Sequence, residues 1–379
     1  MKTIGIYLGP YIGGHWDGAN VKNGMGGSET WAYEVAMRLP QYGFDVTMYA
    51  DPEIDHDPCK NFHLVSYEKF WYDSLHREFD YFIFSRVASA DVVHPYLRCH
   101  NVFAMAHDVC LMTPSNLENH ISLSRIKKIG YLSEWHKENL LNLYSEIGVT
   151  EPMLYKVTNG YSSEYYNKID FSKKTKSMVW SSSLLRGFED FYEYVAMPII
   201  KEIPEFKLYV CCGTLVGADA ERLERAMYLP NVEVLNKLPK EILAEYQKQA
   251  RIWVYPGVFP ETFCITAVEN ANAGNVIISP LSYGLDTTLE NIDYLREWNL
   301  PILNEDTAPQ YVEKALLALK DDDYCKSLAT QCLNGCNQYS WDRATREIVD
   351  MITMDNMTYM DLYNRAAYMN SVKPIVCIK

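Results

Sequence analysis

Two glutamates with seven residues between them, Glu261 and Glu269, stand in YPGVFPETFCITAVENANAGN, residues 255–275. Before them the apolar, β-forming run IWVYPG (252–257) reads as a buried strand closed by Pro and Gly. The small and apolar residues of CITAVENANA (264–273) read as a packed helix, with Gly274 as its C′ residue. One carboxylate therefore lies in a loop and the other on the second turn of a helix. A helix N-terminus offers free N–H groups and a partial positive charge, which suits a phosphate. A loop carboxylate accepts hydrogen bonds from sugar hydroxyls, and a helical one can grip a second pair, such as those of a ribose. The pattern describes sugar, diphosphate and ribose in a row. A plainer account is that two glutamates complement a helix dipole, at roughly 0.3–1 kcal/mol each.

Three further places offer chemistry. Gly26, Gly27 and Ser28, followed by Glu29, open the helical pattern SETWAYEVAMR. Glycines there let a ligand approach the main chain, whose amides can take a phosphate. A Ser N-cap after a Gly turn accounts for the same residues. The G-x-G-x-x-G fingerprint of dinucleotide sites is missing. Arg186-Gly187 stands at the start of another helical pattern, where the dipole disfavours a cation. An arginine kept there points to an anion, held by charge-assisted hydrogen bonds of roughly 1.5–3 kcal/mol each. His107 and Asp108 end the strand-like NVFAMAHDV, and ligands of open α/β sheets bind outside the carboxyl ends of strands.

The run P-E-T-F-C-I-T-A-V-E-N-A-N-A-G-N-V-I-I-S (260–279) resembles the signature of the retaining GT-B glycosyltransferases of family four, the group that contains sucrose synthase and many mannosyl- and glucosyltransferases. The resemblance implies that Glu261 contacts the donor sugar, that Phe263, Cys264 and Ile265 offer main-chain amides to sugar and diphosphate, and that Glu269 binds the ribose. It places Gly26, Gly27 and Ser28 against the donor phosphates, His107 beside the donor sugar and Arg186 on the diphosphate. His107, Arg186 and Glu261 are thus the expected catalytic residues. Gly213, Leu235 and Leu238 would form the base pocket. The family commonly has Gly where Cys264 stands, and an Arg where Ser181 stands, so one expected positive charge is missing. His15, Trp16 and Asp17 in the long loop 11–27 are acceptor-side candidates, with Trp16 able to stack on a sugar ring; ordinary loop surface is the alternative.

The elements that must position these residues alternate strand and helix, which implies α/β architecture. The resemblance makes it GT-B: two Rossmann-like domains facing across a cleft. The expected division is 1–165 for an acceptor-side domain, 176–340 for a nucleotide-sugar domain, and 341–379 for C-terminal helices packing back on the first. Asn159-Gly160 resembles the family's passage between domains, with a polar linker to Lys176, and YSWDRATREI resembles its closing helix. Ser133 reads as the N-cap of SEWHKENLLNLY.

The net charge of −14 argues against a nucleic-acid partner, which needs a basic face. The small clusters Lys127-Lys128 and Lys173-Lys174 read as solvated surface. No secretory pattern opens the chain and no apolar run approaches a membrane span. The ten cysteines are scattered, several in apolar runs, which fits reduced thiols and a cytoplasmic setting. Cys332 and Cys336 lack a second ligand pair for zinc. No cofactor and no metal is expected, since no Asp-x-Asp pair stands at a strand end. The expected partners are a nucleoside-diphosphate sugar (GDP- or UDP-linked) and a glycan or small hydroxyl acceptor. The rivals are an epimerase or phosphorylase of the same fold and a non-catalytic glycan- or nucleotide-binding protein.

Overall fold

In the computed structural model, which describes residues 1–11, 13–86, 88, 93–94, 96–111, 124–212 and 218–354, the apolar runs of the first half become eight strands of one sheet. They are β1 (Lys2–Tyr7), β2 (Phe44–Ala50), β3 (His56–Cys59), β4 (Phe62–Ser66), β5 (Tyr81–Ser85), β6 (Val102–Met105), β7 (Ile126–Tyr131) and β8 (Leu154–Lys156). Their order is β3-β4-β2-β1-β5-β6-β7-β8. Each neighbouring pair is parallel except β3 with β4. The β3 strand, HDPC, has no apolar alternation, and its proline is tolerated because the strand lies at the sheet edge.

The second half supplies β9 (Ser177–Trp180), β10 (Lys207–Val210) and β11 (Val232–Val234) in one parallel ladder, and β12 (Ile252–Val254) with β13 (Val276–Ile278) in another. The Arg251 N–H donates to the Ser177 carbonyl at 3.0 Å, which lays β12 beside β9. Strands β9, β12 and β13 are buried along their whole length, as expected where helices cover both faces of a parallel sheet.

Five helices bear on the site. Helix α1 (Gly27–Arg38) turns Trp31, Ala32, Val35 and Ala36 into the core, the stripe that the sequence periodicity predicts. Helix α2 (Glu134–Tyr144) begins at Ser133, whose hydroxyl accepts from the His136 N–H at 3.2 Å, the expected N-cap. Helix α3 (Lys240–Gln249) precedes β12 and α4 (Ile265–Asn272) follows it. Gly274 lies just beyond α4 at φ +72°, the left-handed C′ position. Helix α5 (Trp341–Thr353) returns to the first half of the chain. There Arg38 pairs with Asp342 at 2.8 Å, and the Thr158 N–H and hydroxyl both donate to Glu347 Oε2, at 2.6 and 2.8 Å. Residues 355–379 lie outside the described residues. Among the described residues no helix is long and apolar enough to cross a membrane.

The segment joining the two halves is pinned at both ends. At Gly160 a Cβ would overlap the main chain of Ser340 and Trp341, so only glycine lets the chain pass under the start of α5. Lys174 is buried, not solvated as its place in a Lys-Lys pair suggests. Its ammonium donates to the carbonyls of Ala250 and Ala273 (2.7 and 2.8 Å) and to Asn275 Oδ1 (2.6 Å). Ala250 and Ala273 are the C-caps of α3 and α4, so one cation serves the negative ends of two helix dipoles. Gly160→Ala should lower unfolding stability by about 2 kcal/mol, the cost of forcing a methyl against rigid main chain. Urea unfolding of the two proteins checks this, and equal midpoints would refute the close approach.

Candidate active site

The loop after β12 brings Tyr255 and Glu261 together. The Tyr255 hydroxyl donates to Glu261 Oε1 at 2.5 Å, and the Arg186 guanidinium forms an ion pair with the same oxygen. Glu261 is only 5% exposed. Arg186 ends a short 3₁₀ turn, Leu184–Arg186, and its guanidinium also stacks over Phe259 at 4.4 Å. Burial is the largest single effect and works against the charged arginine, but Glu261 together with Tyr255 and Cys264 outweighs it, so the guanidinium is held above its usual pKa. Burial first, and then the Glu261 charge, push the Tyr255 phenol up, so it stays a donor. The anion that Arg186 holds in the free protein is therefore Glu261.

Beyond Glu261 the loop turns into α4. Thr262 donates its hydroxyl to the His107 carbonyl at 2.7 Å, tying the second-half loop to the end of the first-half sheet. Phe263 is buried edge-on against Tyr339 at 5.1 Å. Cys264 is the N-cap of α4 with φ +75° and makes no side-chain cap. A residue with a Cβ is strained in that left-handed region, which gives a physical reason for a glycine at this point. Glu269 lies on the next turn, half-buried in the same cleft. Burial raises its carboxyl above the ordinary range, against the nearby Lys240 charge.

The opposite wall comes from the first half. Gly26, not Ser28, is the N-cap of α1, and no side chain caps the helix. Ser28 instead donates to Glu29 Oε2 at 3.0 Å. The Glu29 carboxylate folds back so closely that a Cβ on Gly26 would overlap it, which explains that glycine. A Cβ on Gly27 would stand 3.5 Å from the Ile265 side chain, so the uncapped N-termini of α1 and α4 converge. His107 is 8% exposed, with its Nε2 3.1 Å from the Ser85 hydroxyl and its ring edge-on to Trp31 at 4.9 Å. Burial, then His136 and the Arg86 charge, lower its pKa to about 3, so it is a neutral hydrogen-bonding group near pH 7.

The two walls enclose one cleft of about 620 Å³, lined also by Tyr11, Arg86, Asp108, Asn159, Lys237, Leu238 and Lys240, with Tyr255 and Phe259 outside its lining. Of the expected site residues the cleft gathers Gly26, Gly27, Ser28, His107, Arg186, Leu238, Glu261, Phe263, Cys264, Ile265 and Glu269. Ser181 lines it too, and its buried hydroxyl has no hydrogen-bond partner among the described residues. Leu235 instead packs against Val179, Cys211 and Ala250. Gly213 lies outside the described residues.

The three acceptor-side candidates do not line the cleft. Trp16 is 2% exposed and belongs to the hydrophobic core, so its ring has no free face for a sugar. Asp17 caps the short helix Gly18–Lys22, accepting from the Ala19 and Asn20 N–H groups. His15 is exposed and bonded through Nδ1 to Asp51 at 2.9 Å. Sequence reasoning missed Tyr255 and Arg86, and it named Glu29 only as the residue after Ser28, without its pairing to Arg86. Arg86 follows directly on β5, and the strand-end rule applied to His107 would have found it. Among the described residues no group of three His, Cys, Asp or Glu side chains could hold a metal ion.

No family model matches the sequence and no curated protein matches it significantly. Solved structures do match. One is WaaG, a glycosyltransferase involved in lipopolysaccharide biosynthesis, at 15% identity and TM-score 0.61, covering 92% of this chain and 99% of that one. A second is a glycosyltransferase from Rickettsia africae, at 14% identity and TM-score 0.66, with 94% and 99% covered. A third is Anabaena Alr3699/HepE in complex with UDP-glucose, at 11% identity and TM-score 0.63, with 94% and 100% covered. At such identities the likeness speaks to the fold.

Cys264→Gly should be more stable than Cys264→Ala by about 0.5–1 kcal/mol. Both lose the thiol, but only glycine sheds the left-handed strain of about 1–2 kcal/mol, against its own entropic cost of about 0.5–1 kcal/mol. Thermal unfolding of the two variants tests the order, and Ala above Gly would contradict the φ angle. The chain, over nearly its whole length, has the GT-B fold.

Proposed function

We propose that the protein is a retaining glycosyltransferase that moves a sugar from a UDP- or GDP-linked donor to a hydroxyl acceptor. The observation that carries this reading is the second-half wall of the cleft. Within nine residues it offers a carboxylate for sugar hydroxyls (Glu261), an uncapped helix start for phosphates and a second carboxylate for the ribose (Glu269), with Arg186 alongside. The fold is shared with a structure that holds UDP-glucose.

In the proposed reaction the bond between sugar C1 and the diphosphate oxygen breaks while C1 bonds to the acceptor oxygen on the same face. The acceptor proton passes to the departing phosphate. Charge grows on the leaving diphosphate, and Arg186 with the α4 amides is aimed to meet it. Arg186 is shared with Glu261 before the donor arrives, so its contribution rises as the phosphate competes for it. Neutral His107 contributes a hydrogen bond beside the sugar rather than a proton. Diphosphate binding by main-chain donors and one guanidinium makes the proposed reaction independent of a metal, and the proposed setting is the cytoplasm. Ser181, where the resemblance expects a cation, favours one second reading: a protein that binds the nucleotide sugar without turning it over.

Incubation with a panel of UDP-, GDP-, ADP- and dTDP-sugars decides between them, with released nucleoside diphosphate as the readout. Turnover of one donor supports transfer; binding without release supports the second reading. Arg186→Ala should lower kcat about 100-fold or more, with a smaller change in donor affinity, because its contact strengthens with leaving-group charge. Equal losses would remove that role, and Arg186→Lys, which keeps the charge, controls for folding. Glu269→Ala should raise the donor dissociation constant about 10- to 100-fold, measured by calorimetry, through loss of charge-assisted bonds to the ribose. A folded variant with unchanged affinity would refute the ribose assignment.

A further inference from the structure

The first-half wall of the cleft carries a chain of charges that the donor reading leaves unused. Glu29, 6% exposed at its side chain, accepts from Arg86 Nη1 at 3.1 Å. Arg86 Nε in turn donates to Asp108 Oδ2 at 3.0 Å. Arg86 sits at φ +76°, a left-handed conformation held by its own N–H bond to the Met105 carbonyl at 2.9 Å. Such strain in a residue with a side chain marks a position whose aim matters. The side chain of Asp108 is 53% exposed, follows His107 directly and lines the cleft. Its Oδ1 has no hydrogen-bond partner among the described residues.

Resting on the glycosyl-transfer reading, we infer that Asp108 binds the acceptor hydroxyl, held in position by Arg86 and Glu29, and that the acceptor carries no phosphate or carboxylate group. An ionised carboxylate accepts hydrogen bonds only, and a hydroxyl is the group that donates them. Among the described residues Asp108 is anchored through one oxygen only, so little side-chain freedom is lost when the other binds. The charge balance sets the class of acceptor. Among the described residues two carboxylates, Glu29 and Asp108, face one guanidinium, Arg86, which leaves one negative charge in excess on this wall. His107 beside it is neutral. The cations Lys237, Lys240 and Arg186 belong to the other half of the chain, on the donor side. An anionic acceptor would meet the excess carboxylate, and a chain of net charge −14 repels it at longer range. Arg86 is a positioning residue here, and Asp108 is the one that touches substrate.

The experiment uses the donor found in the hydrolysis panel. The probes are methyl glycosides of glucose, galactose, mannose and N-acetylglucosamine, free glucosamine, glucose 6-phosphate, mannose 6-phosphate and glucuronic acid. The wild type should transfer to at least one uncharged or amino member, with a KM about 10-fold or more below that of any anionic member. Asp108→Asn should raise the KM of that acceptor about 10-fold, change the donor KM far less, and narrow the discrimination against hexose 6-phosphates. Arg86→Met should raise the acceptor KM similarly, and the double variant should add little to either, as expected of residues acting as one unit. Transfer confined to anionic members, transfer to none of the panel, or an acceptor KM that Asp108→Asn leaves unmoved would overturn the inference. Those outcomes leave glycosyl transfer standing if donor hydrolysis is seen. Absence of hydrolysis with every nucleotide sugar would instead sink the underlying reading.

Discussion

The pairing of Arg186 with Glu261 is the constraint on which the cleft depends. Glu261 is withdrawn from water while the Arg186 side chain is 33% exposed, so losing the arginine would leave a buried carboxylate without its charge partner. The surroundings are arranged to keep the pair. Tyr255 donates to the shared oxygen, Phe259 covers the guanidinium, and the loop between β12 and α4 must fold tightly enough to bring all four together. At the end of the same loop Cys264 enters the helix through a left-handed angle. The same device appears on the facing wall, where Arg86 is gripped by Glu29 and Asp108. Each wall therefore presents an arginine whose charge is already matched, and neither is a bare cation waiting in solvent.

Between those walls two helix starts approach without side-chain caps. Capping residues usually satisfy the first N–H groups of a helix, and their absence at both α1 and α4 is a cost to the free protein. The partial positive charges of two dipoles also converge there. At α1 the Glu29 carboxylate already stands in the first turn, whereas α4 has no acidic residue there and would gain from an anion, which is the thermodynamic sense of the proposed diphosphate. The price of a ready site is thus met by the fold, through the long parallel sheets and buried helices that hold the two starts in place.

Much of this was written in local sequence. The spacing of Glu261 and Glu269, the Ser133 cap, Gly274 beyond α4 and the buried stripe of α1 all rest on interactions within a few residues, so pattern reading reached them. What failed depends on contacts between distant parts of the chain. Trp16 sits among polar and glycine neighbours and reads as loop surface, yet the fold closes over it. Lys174 reads as one of two surface lysines until the ends of α3 and α4 are brought to it. Ser28 reads as a cap until Glu29 claims its hydroxyl to hold Arg86, 57 residues further on. Strand β3 carries a proline and no apolar period, and only its place at the sheet edge permits it. Charged networks are the hardest to foresee, because a carboxylate and a guanidinium attract at any sequence separation.

Lys174 has a mechanical consequence. Its ammonium rivets the connecting segment to the tail ends of α3 and α4, so residues near it must travel with the second sheet as a rigid piece. Gly160, wedged beneath α5, is similarly locked to its own surroundings. The residues between these two fixed points are tied to the second half as well: the Tyr161 hydroxyl donates to Asn272 Oδ1 at 3.0 Å and the Tyr166 hydroxyl to Gln247 Oε1 at 2.6 Å. The stretch from Tyr161 to Lys174 is thereby moored along its length to the same two helices that flank β12.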